Sequence, residues 1–105
     1  MVDADARERG WGFLTNHAQV LLCIADDPGI LLREIGARVG ITERAAHRIV
    51  GELEASGYVA RRRNGRRNHY TVKADQPLPD PLANKRRVSE LLAILGGGEA
   101  SARSG

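Results

Sequence analysis

Cysteine and long apolar runs are almost absent from this 105-residue chain. Cys23 is the only cysteine, which excludes an internal disulfide and a cysteine metal cluster. No apolar run approaches the roughly 20 residues that a membrane helix needs. The charged N-terminal stretch has no apolar signal-peptide region. We therefore expect a cytoplasmic protein with no membrane partner.

Aromatic residues are also scarce, and only Trp11, Phe13, Tyr58 and Tyr70 are present. The core must therefore be built mainly from Leu, Ile, Val and Ala. Single-stranded nucleic acids bind largely by stacking their bases on aromatic side chains, and few aromatic residues lie near the basic residues. The chain length suits one domain with a modest core.

Catalytic and metal-binding patterns are missing as well. The three histidines (His17, His47 and His69) fall on different predicted elements without ligand spacing. The glycine run 96–98 follows a predicted helix, whereas the glycines of a phosphate-binding loop precede one. We expect no enzymatic activity, no cofactor and no metal. Cys23, inside an apolar stretch, is interpreted as a core residue rather than a redox sensor.

Positive charge is concentrated in the middle of the chain. Residues 33–73 carry ten Lys or Arg and four Asp or Glu, whereas the remainder carries six and nine. Five arginines fall within the stretch RRRNGRR, residues 61–67. Such an uneven distribution is typical of a surface that binds nucleic acid.

Periodic apolar residues predict four helices. Asn16 is predicted to be the N-cap of the first helix, and Gln19, three residues later, would complete a capping box. This helix contains five consecutive apolar residues. The second spans about 31–40 and ends at a glycine. Thr42 caps the third, whose apolar stripe has the i, i+3, i+4, i+7 spacing of a core-facing helix. The fourth starts at Asp80, followed by proline.

The arginine-rich stretch is predicted to form a β-hairpin, because Asn-Gly is a preferred pair for a two-residue turn. A turn at Asn64 and Gly65 would pair Val59 with Tyr70. Val59, Tyr70 and Val72 would then share the face that packs on the core. Residues 30–31 are expected to form a very short strand.

The stretch REIGARVGITERAAHRIVGELEASGYV, followed by RRRNGRR and HYTV, resembles a winged helix-turn-helix domain. It is similar to the small MarR/ArsR-like transcriptional regulators over roughly residues 13–73. The resemblance implies a mainly α fold with a small β-hairpin (α+β), namely a three-helix core, a wing and a C-terminal helix. The expected organisation is a flexible segment (1–12), the DNA-binding domain (13–75), the C-terminal helix (80–95) and a disordered tail (96–105).

The same resemblance implies that double-stranded DNA is the partner. A recognition helix, residues 42–56, would enter the major groove, and the wing, residues 58–72, would contact phosphates or the minor groove. The implied recognition residues are Thr42, Arg44, Ala45, His47 and Arg48. The implied wing residues are Arg61, Arg62, Arg63, Asn64, Arg66, Arg67 and Asn68.

A homodimer is expected, because such regulators dimerise through terminal helices. Its candidate interface is the stripe Val88, Leu91, Leu92 and Leu95. A small-molecule effector near Trp11 or Phe13 is a further implication of the resemblance.

Several alternatives stay open at this level. The domain could be a protein-interaction adaptor without sequence-specific DNA binding, because fold does not determine function. The arginine tip could be a solvated edge that discourages aggregation. Arg44 and Arg48 could pair with Glu43 or Glu52 on the helix surface.

Overall fold

The computed structural model describes residues 12–96, which form helices and one two-stranded antiparallel sheet. The predicted segments 1–12 and 96–105 lie almost wholly outside the described residues. The architecture, a helical core with a β-hairpin, confirms the predicted α+β winged-helix fold. In chain order the elements are α1 (Asn16–Asp26), α2 (Leu32–Val39), α3 (Glu43–Ala55), β1 (Val59–Asn64), β2 (Arg67–Val72) and α4 (Val88–Leu95).

The core lies where the helices meet the base of the hairpin. It is aliphatic apart from Cys23 and Tyr70, and no polar or charged residue is buried among residues 12–96. Burial of each large aliphatic side chain contributes about 1.5–3 kcal/mol. The most completely buried large side chains are Ile24, Ile35, Ile49, Val20 and Val88.

A tight glycine turn joins α2 to α3. Gly40 has a φ of 88°, a conformation that favours glycine, and its N–H donates to the carbonyl of Gly36. A Cβ on Gly36 would lie 2.7 Å from the carbonyl oxygen of Ile41. The absence of a side chain at Gly36 therefore allows α2 to approach the start of α3 closely.

Two local predictions near α1 are wrong. Thr15, not Asn16, is the N-cap, because its Oγ1 accepts a hydrogen bond of 3.1 Å from the N–H of Ala18. Both residue types are good caps, and the backbone turns helical one residue earlier than expected. Residues 30–31 form no strand. A single bond of 2.9 Å from the Tyr70 N–H to the Pro28 carbonyl connects this loop to the hairpin instead.

The hairpin forms with a register two residues away from the predicted one. Val59 faces Val72 and Arg61 faces Tyr70, so the two-residue loop consists of Gly65 and Arg66. Gly65 has a φ of 66°, as the first position of a type II′ turn requires. Because side chains alternate with a period of two, this shift leaves the predicted core face unchanged.

Helix α4 begins at Val88, eight residues after the predicted start. The chain from Lys73 to Arg87 folds back on itself, with the Leu78 N–H bonded to the Arg86 carbonyl and the Val88 N–H to the Gln76 carbonyl. These hydrogen bonds hold the backbone in a non-helical conformation, so no long helix begins at the predicted N-cap Asp80. The returning segment brings α4 to the side of α1.

Candidate nucleic-acid interface

Helix α3 is divided between a buried and an exposed side. Ala46, Ile49, Val50 and Leu53 are buried, whereas Arg44, His47 and Arg48 are exposed and Ala45 is half-buried. The helix begins where Thr42 Oγ1 accepts a bond of 3.0 Å from the Ala45 N–H. Packing of the apolar stripe therefore orients α3 so that a cationic flank remains at the surface.

The cationic residues of that flank differ in their partners. Arg48 Nη1 lies 3.2 Å from Glu52 Oε2, one turn further along α3. Glu52 also accepts a bond of 2.6 Å from His17 Nε2, and this bond is the main cause that lowers the pKa of Glu52. Neither Arg44 nor His47 forms an ion pair with the described part of the chain. The open alternative of a helix-surface pair therefore applies to Arg48 and not to Arg44.

All five arginines of the hairpin are exposed. Arg61 Nε lies 3.3 Å from Glu54 Oε2, which ties the base of the hairpin to the last turn of α3. Arg63 Nε donates to the carbonyl of Gly65 across the turn, at 3.1 Å. The remaining three arginines are Arg62, Arg66 and Arg67. They have no acidic partner among residues 12–96.

The remaining predicted wing residues lie beside these arginines. Asn64 is exposed and its Nδ2 is 3.3 Å from Nδ1 of His69, whereas Asn68 is half-buried. Asn64 is the last residue of β1 rather than a residue of the turn. These side chains provide polar groups next to the guanidinium groups of the tip.

A small cleft connects the hairpin to the start of α3. It has a volume of about 200 Å³, and Glu43 lines it together with Arg66 and Arg67. The cleft therefore brings the first residue of α3 and the start of β2 to one side of the molecule. A single elongated polyanion laid across this side could contact both elements.

Arg33 also lines the cleft, although no sequence motif assigned it to the site. It lies in the first turn of α2 and is exposed. Periodicity along α2 places Arg33 off the apolar stripe. Arg33 lies near the hairpin because of the way in which the hairpin folds back, and no local sequence pattern predicts this packing.

The predicted interface residues of α4 lie partly in the core and partly at the surface. Val88 is 1% exposed and Leu92 packs against the core of its own chain. Val88 is therefore buried within its own chain, and the assignment of the α4 stripe to a dimer interface stays a prediction. Leu91 is half-buried, whereas Leu95 and its neighbour Ile94 are exposed.

Several other predicted features have a defined position. Cys23 is buried in the core, and this burial is the main cause that raises the pKa of its thiol. Phe13 is exposed, and Trp11 lies outside the described residues. Residues 12–96 contain no cluster of three His, Cys, Asp or Glu suited to a metal ion. No helix in this part of the chain has both the length and the apolar character to cross a membrane.

The fold and the glycine turn define a winged helix-turn-helix protein. A model of the MarR family matches residues 11–67, which is more than half of the chain. The chain therefore belongs to the MarR family. A sequence search of curated proteins finds no match.

Solved structures with a similar fold include two bacterial regulators. MepR, a transcription regulator of the Staphylococcus aureus multidrug efflux pump MepA, has 15% identity and a TM-score of 0.53, covering 97% of this chain and 72% of that one. The PcaV transcriptional regulator from Streptomyces coelicolor, in complex with its natural ligand, has 22% identity and a TM-score of 0.50, with coverages of 85% and 67%.

The MarR family protein Rv2887 of Mycobacterium tuberculosis, in complex with salicylic acid, is 28% identical with a TM-score of 0.49. The match covers 68% of this chain and 53% of that chain. The chain thus spans about half the length of this neighbour.

Proposed function

We propose that the chain is a DNA-binding transcription regulator in which α3 enters the major groove and the hairpin acts as the wing. The observation that supports this proposal is the cleft that Glu43 shares with Arg66 and Arg67. It puts the start of α3 and the arginine tip on one side of the molecule. The major groove is wide enough to admit one helix, and arginine binds phosphate or guanine bidentately.

The roles of individual residues follow from their surroundings. Arg44 and His47 are exposed on α3 and have no acidic partner within residues 12–96, so they are proposed to contact base edges. Arg62 and Arg66 are exposed on the hairpin and are proposed to contact phosphates. Phosphate contacts contribute affinity for any sequence, whereas contacts to base edges determine which sequence is preferred.

The test is a titration of DNA duplexes against salt concentration, followed by fluorescence anisotropy. The slope of log K against log salt is negative, and each lost phosphate contact should reduce its magnitude by about 0.9. The double variant Arg62→Ala/Arg66→Ala should therefore weaken binding to all sequences and reduce the magnitude of the slope by about 2. Arg44→Ala or His47→Ala should instead change the preferred sequence in a selection from random duplexes.

The matched control is Lys85→Ala/Arg86→Ala, which removes the same charge from the segment before α4. It should leave the slope nearly unchanged. If the wild-type chain binds no duplex at low salt, the DNA-binding proposal is wrong, and the adaptor alternative is favoured. If the hairpin variant binds like the wild type, the hairpin has no part in DNA binding.

We also propose that the protein acts as a homodimer through the ends of α1 and α4. Ile94 is 79% exposed, and Leu14, Leu22 and Leu95 line one groove of about 490 Å³. Exposed apolar side chains beside a groove that several leucines line are typical of interaction surfaces. A two-fold dimer would bind a near-palindromic site. Sedimentation of the free protein tests this, and a monomer at all concentrations would contradict it.

A further inference from the structure

Glu52 contacts side chains from two helices at once. Its Oε1 accepts a hydrogen bond from His17 Nε2, in the first turn of α1, at 2.6 Å. Its Oε2 lies 3.2 Å from Nη1 of Arg48, and the same Nη1 is 3.4 Å from Oε1. Both carboxylate oxygens therefore face one guanidinium of the cationic flank.

A carboxylate in this position already occupies the guanidinium of Arg48. Arg48 and Glu52 are 60% and 48% exposed, so water and other anions reach both side chains. An exposed ion pair of this kind is weak, and Arg before Glu at i, i+4 is the less favourable order in a helix. Arg48 can therefore exchange Glu52 for a phosphate or a base edge at small cost.

His17 holds Glu52 through a second contact, in addition to the ion pair between Arg48 and Glu52. Because it belongs to α1, it holds the Glu52 carboxylate from outside α3. Arg44, one turn before Arg48 on the same flank, has no acidic partner among residues 12–96. The restraint thus applies to one cationic residue of α3 and not to its neighbour.

We propose that Glu52, anchored by His17, is a positioning residue that holds Arg48 in the DNA-free protein and competes with DNA for it. This inference rests on the proposed function. Glu52 acts only through Arg48 and makes no DNA contact of its own. DNA binding requires the exchange of Glu52 for a DNA group, so the carboxylate lowers the affinity.

The first experiment needs no DNA. The carboxyl carbon of Glu52 is followed by NMR as a function of pH in the wild type, in His17→Ala and in Arg48→Ala. Because the bonds from His17 and Arg48 both lower the pKa of Glu52, each variant should raise that pKa toward its ordinary value. An unchanged pKa in both variants would show that the network is absent in solution and would overturn the proposal.

The second experiment is a double-mutant cycle on DNA affinity. Glu52→Gln should tighten binding by about two- to fivefold, the range expected for an exposed ion pair. In an Arg48→Ala background this gain should shrink by a factor of about two or more, because the competed group is missing.

Glu54→Gln is the matched control, because it removes the same charge from the same helix but contacts Arg61. Its effect should be equal with and without Arg48. An equal effect of Glu52→Gln in both backgrounds would overturn the proposal and leave the DNA-binding function standing. A wild-type chain that binds no DNA would overturn both, even with the NMR network intact.

Discussion

The close approach of α2 to the start of α3 predicts that Gly36→Ala destabilises the protein. The added Cβ would lie 2.7 Å from the Ile41 carbonyl oxygen and 3.3 Å from the Thr42 carbonyl carbon. Both neighbours are backbone atoms of the turn that orients α3, so they cannot move without displacing that helix. Overpacking of this kind costs about 3 kcal/mol at its upper range.

Helix propensity opposes part of this cost, because alanine is about 1 kcal/mol better than glycine inside a helix. The net expectation is a loss of about 2 kcal/mol in the free energy of unfolding. For a domain of this size, such a loss lowers Tm by roughly 8–16 °C. Thermal unfolding followed by circular dichroism at 222 nm measures this shift.

Gly51→Ala is the matched control for this prediction. Gly51 is exposed within α3, and a Cβ there would meet no atom within 4 Å. Only the propensity term then applies, so this variant should gain up to about 1 kcal/mol. If Gly36→Ala is as stable as Gly51→Ala, the close approach at the turn does not limit stability and the reasoning fails.

Two further predictions concern α4 and pH. Val88→Ala should lower the free energy of unfolding by about 2 kcal/mol at every protein concentration, because Val88 is buried in its own chain. Ile94→Glu should instead alter only the sedimentation of a dimer. An equal loss of stability in both variants would contradict the assignment of Val88 to the core and of Ile94 to the surface. The pKa of Glu90 is lowered chiefly by the hydrogen bond from the Arg87 backbone N–H. The ionised Glu90 carboxylate therefore stabilises the folded state above its ordinary pKa of 4.5. This stabilisation is lost as the pH falls through the lowered pKa of the folded state. Urea unfolding should therefore show a weaker acid dependence for Glu90→Gln, and an unchanged dependence would refute it.

Features that depend on near neighbours in the chain could be predicted from the sequence. The Thr42 cap, the left-handed Gly40 and the buried stripe of α3 all follow from residues within one or two turns of each other. The core face of the hairpin was also predictable, because alternation determines it even when the register is shifted by two residues. The register itself was not, since Gly65 can occupy either central position of a two-residue turn with positive φ.

The unpredicted parts of the site depend on contacts between elements distant in sequence. His17 and Glu52 are 35 residues apart, and the sequence offers no signal that one helix presents its histidine to the other. The approach of Arg33 to the hairpin tip likewise depends on tertiary packing. Charge totals therefore locate a basic segment, but they do not show which cationic groups are already paired.

Helix α4 shows the same limit for apolar residues. The spacing of Val88, Leu91, Leu92 and Leu95 indicates that they share one side of a helix, but it does not indicate what covers that side. The covering depends on the segment before the helix, where Tyr58 Oη donates to the Pro77 carbonyl at 2.7 Å and the Ser89 N–H donates to the Ala74 carbonyl. These bonds return the chain to its own core and bury Val88 there. We consequently expect a partner surface on α4 to use the large apolar residues that this return leaves exposed, Ile94 and Leu95.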